Sequence, residues 1–213
     1  MLYRNDKVRT AGLTGMSGAG KTTACEVFTR FGFAVIDCDL VSREVVEKGA
    51  PALNEISGYF GADILTQEGN LDRRRLGGIV FSDREKLKQL NDLIYPYITF
   101  NIIEKITKLS ASGKQLVLLD APTLFESGAN ELCDAVVSLT ADKELCLARI
   151  MKRDGIAREQ AEKRLSSQYD AGFYAERSDV CVENNGTQAE LERRLSEAAE
   201  KVKKLFAAGE TGI

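Results

Sequence analysis

Apolar positions fall into two rhythms along the 213 residues, and these divide the chain before any chemistry is considered. Short, unbroken apolar or β-branched runs predict strands at Val8–Thr14, Phe33–Ile36, Gln115–Asp120, Ala135–Thr140 and Val180–Glu183. Runs with helical spacing follow at Lys21–Phe31, with Gly32 as its stop, at Asp142–Arg153, and at the charged stretch Ala157–Gln168. Asn184-Asn185-Gly186 turns the chain, and Thr187 to Glu190 has the form of a capping box. It opens an amphipathic helix through Leu191, Leu195, Val202 and Leu205, with Ala207–Ile213 expected to fray. Residues 40–112 break this alternation because they offer no convincing strand. Leu40–Lys48 reads as helix, Gly49-Ala50-Pro51 stops it, and Ala52–Phe60 resumes with Leu53, Ile56 and Phe60 on one face. Leu71 to Arg75 opens another helix, Ser82 to Glu85 reads as a capping box, and Tyr95-Pro96 punctuates before a run to Leu109. The block reads as an insertion built to hold something. No internal repeat and no low-complexity linker interrupts the chain.

Where the first strand run meets the first helical run, the residues are Gly15-Met16-Ser17-Gly18-Ala19-Gly20-Lys21-Thr22, followed by Thr23. They fit G-x-x-x-x-G-K-[ST] at every fixed position, in the strand–turn–helix context a phosphate-binding P-loop requires. Gly15, Gly18 and Gly20 allow backbone angles closed to other residues, so that successive N–H groups converge on phosphate oxygens. Lys21 brings a point charge to the β- and γ-phosphates, Thr22 offers a hydroxyl to Mg²⁺, and the helix beginning near Lys21 adds its positive end.

Acids close two of the strands. Asp37 and Asp39 follow the second strand, where open α/β sheets place ligands. At strand spacing the two would share a face, one orienting Mg²⁺ through water and the other taking the proton of an attacking hydroxyl; the alternative is a solvated loop with capping aspartates. Asp120 ends a strand of Walker B character and is a candidate for the outer shell of Mg²⁺. In the apolar loop Ala121–Gly128, Glu126 reads either as functional or as a water-facing residue on a loop anchored by Leu124 and Phe125. Arg149 and Arg153 lie four apart on one helix face with Lys152 beside them, at the place where P-loop kinases carry a mobile basic lid; solvated surface arginines are the other reading. The cluster Arg73–Arg75 reads as a charged helix face.

Net charge of −3 and a pI near 5.3 argue against a chain-wide nucleic-acid footprint. Hydrophobic and charged contents of 44% and 29% belong to a globular chain with room for a sizeable core. The five cysteines, Cys25, Cys38, Cys133, Cys146 and Cys181, form no C-x-x-C pair and read as small buried hydrophobes of a reducing compartment. The N-terminal MLYRNDKVR has no apolar leader core, and no run approaches a membrane span, so a cytoplasmic chain without membrane partners is expected. With no histidine present, acid–base work falls to carboxylates, lysine, cysteine or tyrosine.

Taken in order, these stretches resemble the dephospho-coenzyme A kinase family over nearly the whole chain. GLTGMSGAGKTT, FAVIDCDLVSREVV, GNLDRRRLGGIVF, LVLLDAPTLFESG, LARIMKRDGIAREQAEKRLSSQ and DVCVENNG each have a counterpart there. The acid pair with its trailing arginine and the P-x-LFE string are the specific parts. The resemblance implies a P-loop NTPase-type α/β fold: a five-stranded parallel sheet flanked by helices, with an inserted helical substrate domain and a lid. Residues 8–39, 115–148 and 176–206 would form the nucleotide core, 40–112 the acceptor subdomain and 149–175 the lid. It implies ATP and Mg²⁺ as co-substrate and metal, and phosphorylation of the ribose 3′-hydroxyl of dephospho-coenzyme A. Residues 15–23 and Asn184 would hold ATP, and Lys21, Asp39 as base, Arg149 and Arg153 would be catalytic. Asp37, Asp39, Arg43 and Glu126 would meet the acceptor, and Thr22 and Asp120 would serve the metal. Four positions depart from the family pattern: Met16 and Cys38 replace a glycine and an alanine, Tyr95 stands for histidine, and Glu183 for aspartate. A different small-molecule or nucleoside kinase on the same core, and a non-catalytic nucleotide-binding module, are the competing readings. The sequence does not set an oligomeric state.

Overall fold

The computed structural model describes residues 7–210, so the sequence reading of MLYRNDKVR and the fraying expected over Ala207–Ile213 lie partly outside the described residues. Five strands, β1 (Arg9–Gly15), β2 (Ala34–Asp37), β3 (Leu116–Asp120), β4 (Ala135–Thr140) and β5 (Val180–Glu183), form one sheet in the order β2-β3-β1-β4-β5. β1 runs parallel to β3, from Arg9↔Leu116 to Leu13↔Asp120, and to β4, from Ala11↔Ala135 to Gly15↔Leu139; β4 and β5 are also parallel. The central position of β1 explains its composition, because a strand covered on both faces cannot alternate polar with apolar. Ala11 and Leu13 have no exposed surface, and only Arg9, at the outer end, is partly accessible.

Helices α1 (Lys21–Arg30), α6 (Lys143–Asp154), α7 (Arg158–Ser166), α8 (Ala171–Arg177) and α9 (Gln188–Glu210) belong to the unit that contains most of the sheet, made of the residues up to Ile36 and those from Leu109 onward. Its core joins Leu13, Val27, Phe28, Val137, Leu147, Ile150, Leu195 and Val202, and Phe28 meets Phe33 edge-on with ring centres 5.1 Å apart. The Thr187 capping box is present: the Thr187 N–H and hydroxyl donate to Glu190, and the Glu190 N–H donates back to the hydroxyl at 3.3 Å. α9 runs on to Glu210 rather than fraying at Ala207, and its buried face ends on Phe206, not on Leu205, which is exposed.

The second unit, Asp37–Lys108, contains α2 (Cys38–Glu44), α3 (Pro51–Phe60), α4 (Arg73–Val80) and most of α5 (Arg84–Ala111). Among its described residues the only strand-like pairing is an isolated bridge between Leu65 and Leu71. Three sequence expectations change here. α2 starts two residues before Leu40 and stops at Glu44, because Asp37 caps it by accepting the Leu40 N–H at 2.9 Å. The cap of α5 is Asp83, whose carboxylate accepts the Glu85 and Lys86 N–H groups, while the Ser82 hydroxyl turns back to the Gly78 and Ile79 carbonyls. Tyr95-Pro96 does not end a helix, since α5 passes through Pro96. Proline removes one intrahelical hydrogen bond, and burial of Ile102 and Ile106 beyond it anchors the continuation.

Gly58 in α3 and Gly78 in α4 have ordinary negative φ and open space where a Cβ would stand. Alanine at either position is expected to raise unfolding free energy by about 0.5–1 kcal/mol through reduced unfolded-state entropy. Urea unfolding midpoints measure it; an unchanged or lower midpoint would mean that these positions need glycine for a reason other than backbone conformation.

Candidate active site

β1 hands the chain to a loop that closes on α1, and sterics explain its glycines. Gly15 has φ of 132°, and a Cβ there would lie 2.1 Å from the Leu139 carbonyl oxygen; at Gly18, with φ of 82°, it would lie 2.7 Å from that of Cys146. The loop therefore rests directly on the backbones of β4 and α6. Met16 donates its N–H to the Leu139 carbonyl (3.0 Å), and Ala19 donates to the Met16 carbonyl (3.1 Å). Gly20 caps α1 without a side-chain bond, so the first turn of α1 presents N–H groups that a helix leaves without intrahelical acceptors. The Lys21 ammonium lies 3.3 Å from the Gly15 carbonyl oxygen, Thr22 is exposed and Thr23 is half-buried.

Two distant side chains are fastened to this loop. Asn184, 6% exposed just beyond β5, donates its amide to the Ala19 carbonyl at 2.8 Å and its backbone N–H to Thr140. Arg149 of α6 donates to the Gly18 carbonyl at 3.3 Å and, through both terminal nitrogens, to the Asn184 carbonyl at 3.1 Å. Arg153, one helical turn later, does not join it. Its guanidinium grips Asp154 through two bonds of 2.7 and 2.8 Å, Arg164 binds the same carboxylate, and Arg153 chiefly holds the Asp154 carboxyl below its ordinary range. Helical spacing put the two arginines on one face, but each side chain follows its nearest acceptor.

Asp120 ends β3 opposite Leu13, and the next residue, Ala121, donates its N–H to the Leu13 carbonyl at 3.0 Å. That register sets Asp120 beside the point where β1 turns into the glycine loop. In the segment after it, Leu124 is fully buried and Phe125 meets Phe173 edge-on at 5.4 Å, so the anchoring role read for both residues holds. Glu126 is exposed as a residue, yet its carboxyl lies close enough to this packing for desolvation to raise its pKa. The buried Tyr174 phenol is pushed up to about 12, first by burial and then by the Glu126 and Tyr169 charges.

In the other unit, Asp37 and Asp39 do not share a strand face. Asp37 is the last residue of β2 and spends its carboxylate on the cap, whereas Asp39 lies exposed in the first turn of α2. Arg43 follows Asp39 by four residues and so occupies the same helix face. Arg73 reaches this helix as well, donating to the Arg43 carbonyl at 3.4 Å. Cysteine burial was overestimated: Cys38 and Cys146 are buried, but Cys25 and Cys133 are half-buried and Cys181, on the outward side of β5, is exposed. Sequence reasoning also missed Gln168, whose side chain reaches the loop, and the short helix α8 that follows it. A glutamine has no motif of its own, and only the aspartate before α8 (Asp170, which caps Phe173) gave a local signal.

A parallel sheet whose central strand opens into a glycine loop at the head of a helix, braced by an arginine and an asparagine from other elements, defines a P-loop kinase. The family model described as dephospho-CoA kinase matches residues 9–190. A dephospho-CoA kinase from Lactobacillus johnsonii is 37% identical over 191 residues, covering 90% of this chain and 96% of its own. Among solved structures, a Thermus thermophilus protein superposes with a TM-score of 0.78 at 30% identity, covering 91% of this chain and 97% of its own. Dephospho-CoA kinase from Campylobacter jejuni does so with a TM-score of 0.67, also at 30% identity, covering 92% and 97%. The chain belongs to the dephospho-CoA kinase family.

Proposed function

We propose that this chain transfers the γ-phosphoryl group of ATP to the ribose 3′-hydroxyl of dephospho-coenzyme A, giving coenzyme A and ADP, the last step of coenzyme A synthesis. The observation that carries the reading is the glycine loop of a family member, with its Gly18 and Ala19 carbonyls held by Arg149 and Asn184. Phosphoryl transfer asks a protein for positioning and charge stabilisation, and these residues provide both. Gly15, Met16, Ser17, Gly18, Ala19, Gly20, Lys21, Thr22 and Thr23 form the triphosphate cradle, with Asn184 toward the nucleoside side. Asp39 takes the hydroxyl proton as the ribose oxygen bonds to the γ-phosphorus and the bond from that phosphorus to the departing ADP oxygen breaks. Arg43, on the same helix face, offers its cation to the acceptor. Asp37 acts by starting α2 where Asp39 is needed, and Glu126 is an acceptor-side residue. Arg149 supplies positive charge at the loop, Arg153 would add its own on exchanging Asp154 for phosphate, segment 149–175 is the lid, and residues 40–112 form the acceptor subdomain.

Among the described residues no three His, Cys, Asp or Glu side chains gather as a metal site. The exposed Thr22 hydroxyl and the Asp120 carboxylate are nevertheless hard oxygen donors of the kind Mg²⁺ takes alongside phosphate oxygens and water. Bound there, Mg²⁺ would neutralise charge on the β- and γ-phosphates. No helix among the described residues is long and apolar enough to cross a membrane.

A coupled ADP-release assay with dephospho-coenzyme A, adenosine and simple sugars as acceptors tests the reading. Turnover is expected with dephospho-coenzyme A alone. Preference for a free nucleoside or sugar would point to another kinase of this fold, and ATP binding without turnover on any acceptor to a non-catalytic module.

A further inference from the structure

We infer that Gln168 is a positioning residue of the nucleotide site, fixing the peptide planes of the glycine loop from the segment that follows α7. This deepens the ATP site proposed above and rests on that reading. The carbonyl oxygen of the Gln168 side chain accepts the Ser17 N–H at 2.8 Å, a near-ideal bond across 151 residues of sequence. The Ser17 N–H and the Met16 carbonyl belong to one rigid peptide unit and point in opposite directions. On the other side of that plane, the Met16 carbonyl accepts the Ala19 N–H at 3.1 Å. The Ala19 N–H in turn shares a plane with the Gly18 carbonyl, which is held by Arg149 at 3.3 Å. The next plane joins the Ala19 carbonyl, held by Asn184 at 2.8 Å, to the Gly20 N–H. The Met16, Gly18 and Ala19 carbonyls are thus held by the Ala19 N–H, Arg149 and Asn184 in turn, and the Gly20 N–H is turned the opposite way from Asn184.

Gln168 is the one member of this set that comes neither from α6 nor from the turn that directly follows β5. Its own position is well determined. Its backbone N–H bonds Leu165, Tyr169 stacks on Phe173 at 3.6 Å, Arg177 lies over the same ring, and Tyr174 is fully buried. Phe125, next to Glu126, packs on Phe173 as well, so displacement of the segment after β3 bears on residue 168. Removing the acceptor leaves the Ser17 N–H without its partner and frees the first plane to rotate, which loosens the second and misaims the donors that bind phosphate.

The test uses the full chain with the variants Gln168→Leu, which keeps the bulk and removes the acceptor, and Gln168→Glu, which keeps an acceptor oxygen at the same reach. ATP and ADP are titrated calorimetrically without acceptor substrate, and KM for ATP and kcat are then measured with dephospho-coenzyme A. For Gln168→Leu the Kd and KM for ATP are expected to rise about tenfold with kcat little changed, the size of one lost bond that leaves a donor unsatisfied. Gln168→Glu is expected to recover most of that loss toward ADP. Wild-type affinity in Gln168→Leu overturns the inference, and so does equal weakening in both variants with thermal unfolding unchanged, because the acceptor would then be irrelevant. Should wild-type protein ignore dephospho-coenzyme A while the calorimetric difference between the two variants persists, the proposed reaction fails and the role of Gln168 stands.

Discussion

Replacing Asp39 by asparagine is expected to lower turnover with dephospho-coenzyme A by about 10²–10⁴-fold, the range of a lost general base, while ATP affinity stays close to that of the wild type. The substitution is nearly isosteric, so the helix and its cap survive it. What disappears is the ability to accept the proton of the attacking hydroxyl. The geometry favours Asp39 over Asp37 for this role, because the Asp37 carboxylate already holds the Leu40 N–H, whereas Asp39 is exposed on the helix face it shares with Arg43. Asp37→Asn is the natural comparison, since an asparagine still caps a helix well. A smaller loss there than at Asp39 supports the assignment, and unchanged single-turnover rates for Asp39→Asn would remove Asp39 from the chemistry.

Lys21→Ala should weaken ATP binding and turnover together, with kcat/KM falling about 10²–10³-fold, the scale set by deleting one preorganised charge-stabilising donor. Lys21 opens α1 at the mouth of the loop, and its ammonium is already drawn to the Gly15 carbonyl. It is therefore placed to meet phosphate without crossing the site. Lys21→Arg should rescue little, because a planar fork does not replace a compact point charge in so confined a loop. Isothermal titration with ATP alongside steady-state kinetics separates the effects, and full activity of the alanine variant would dismiss the glycine loop as the phosphate site.

The glycine loop, all five strands and the long final helix were legible because each is written locally, in fixed motif positions, unbroken apolar runs or a capping box. Misreadings arose where several local signals competed or tertiary contacts decided. Ser82 and Asp83 both look like caps, and the carboxylate took the helix N–H groups while the hydroxyl turned to the preceding turn. Pro96 looked like a stop, yet a helix anchored by Ile102 and Ile106 absorbs the loss of one hydrogen bond. α8 is short and held by ring packing among Phe125, Phe173 and Tyr174, contacts that no local pattern announces. Within the site, residue types were easier to read than partners. Arg149 was singled out by charge and spacing, but its bond to Gly18 spans 131 residues. Gln168 carried no charge to draw notice.

The stacked rings beside Gln168 also have an optical consequence. The chain contains no tryptophan, so an indole introduced by Tyr169→Trp would be its sole emitter at the red edge of protein absorption. Seated against Phe173 and one residue from the glutamine that touches Ser17, that dye-like side chain would shift in colour or brightness whenever nucleotide entry disturbs its stacking partner. The motion, or stillness, of the segment could then be timed by stopped flow without attaching any external label.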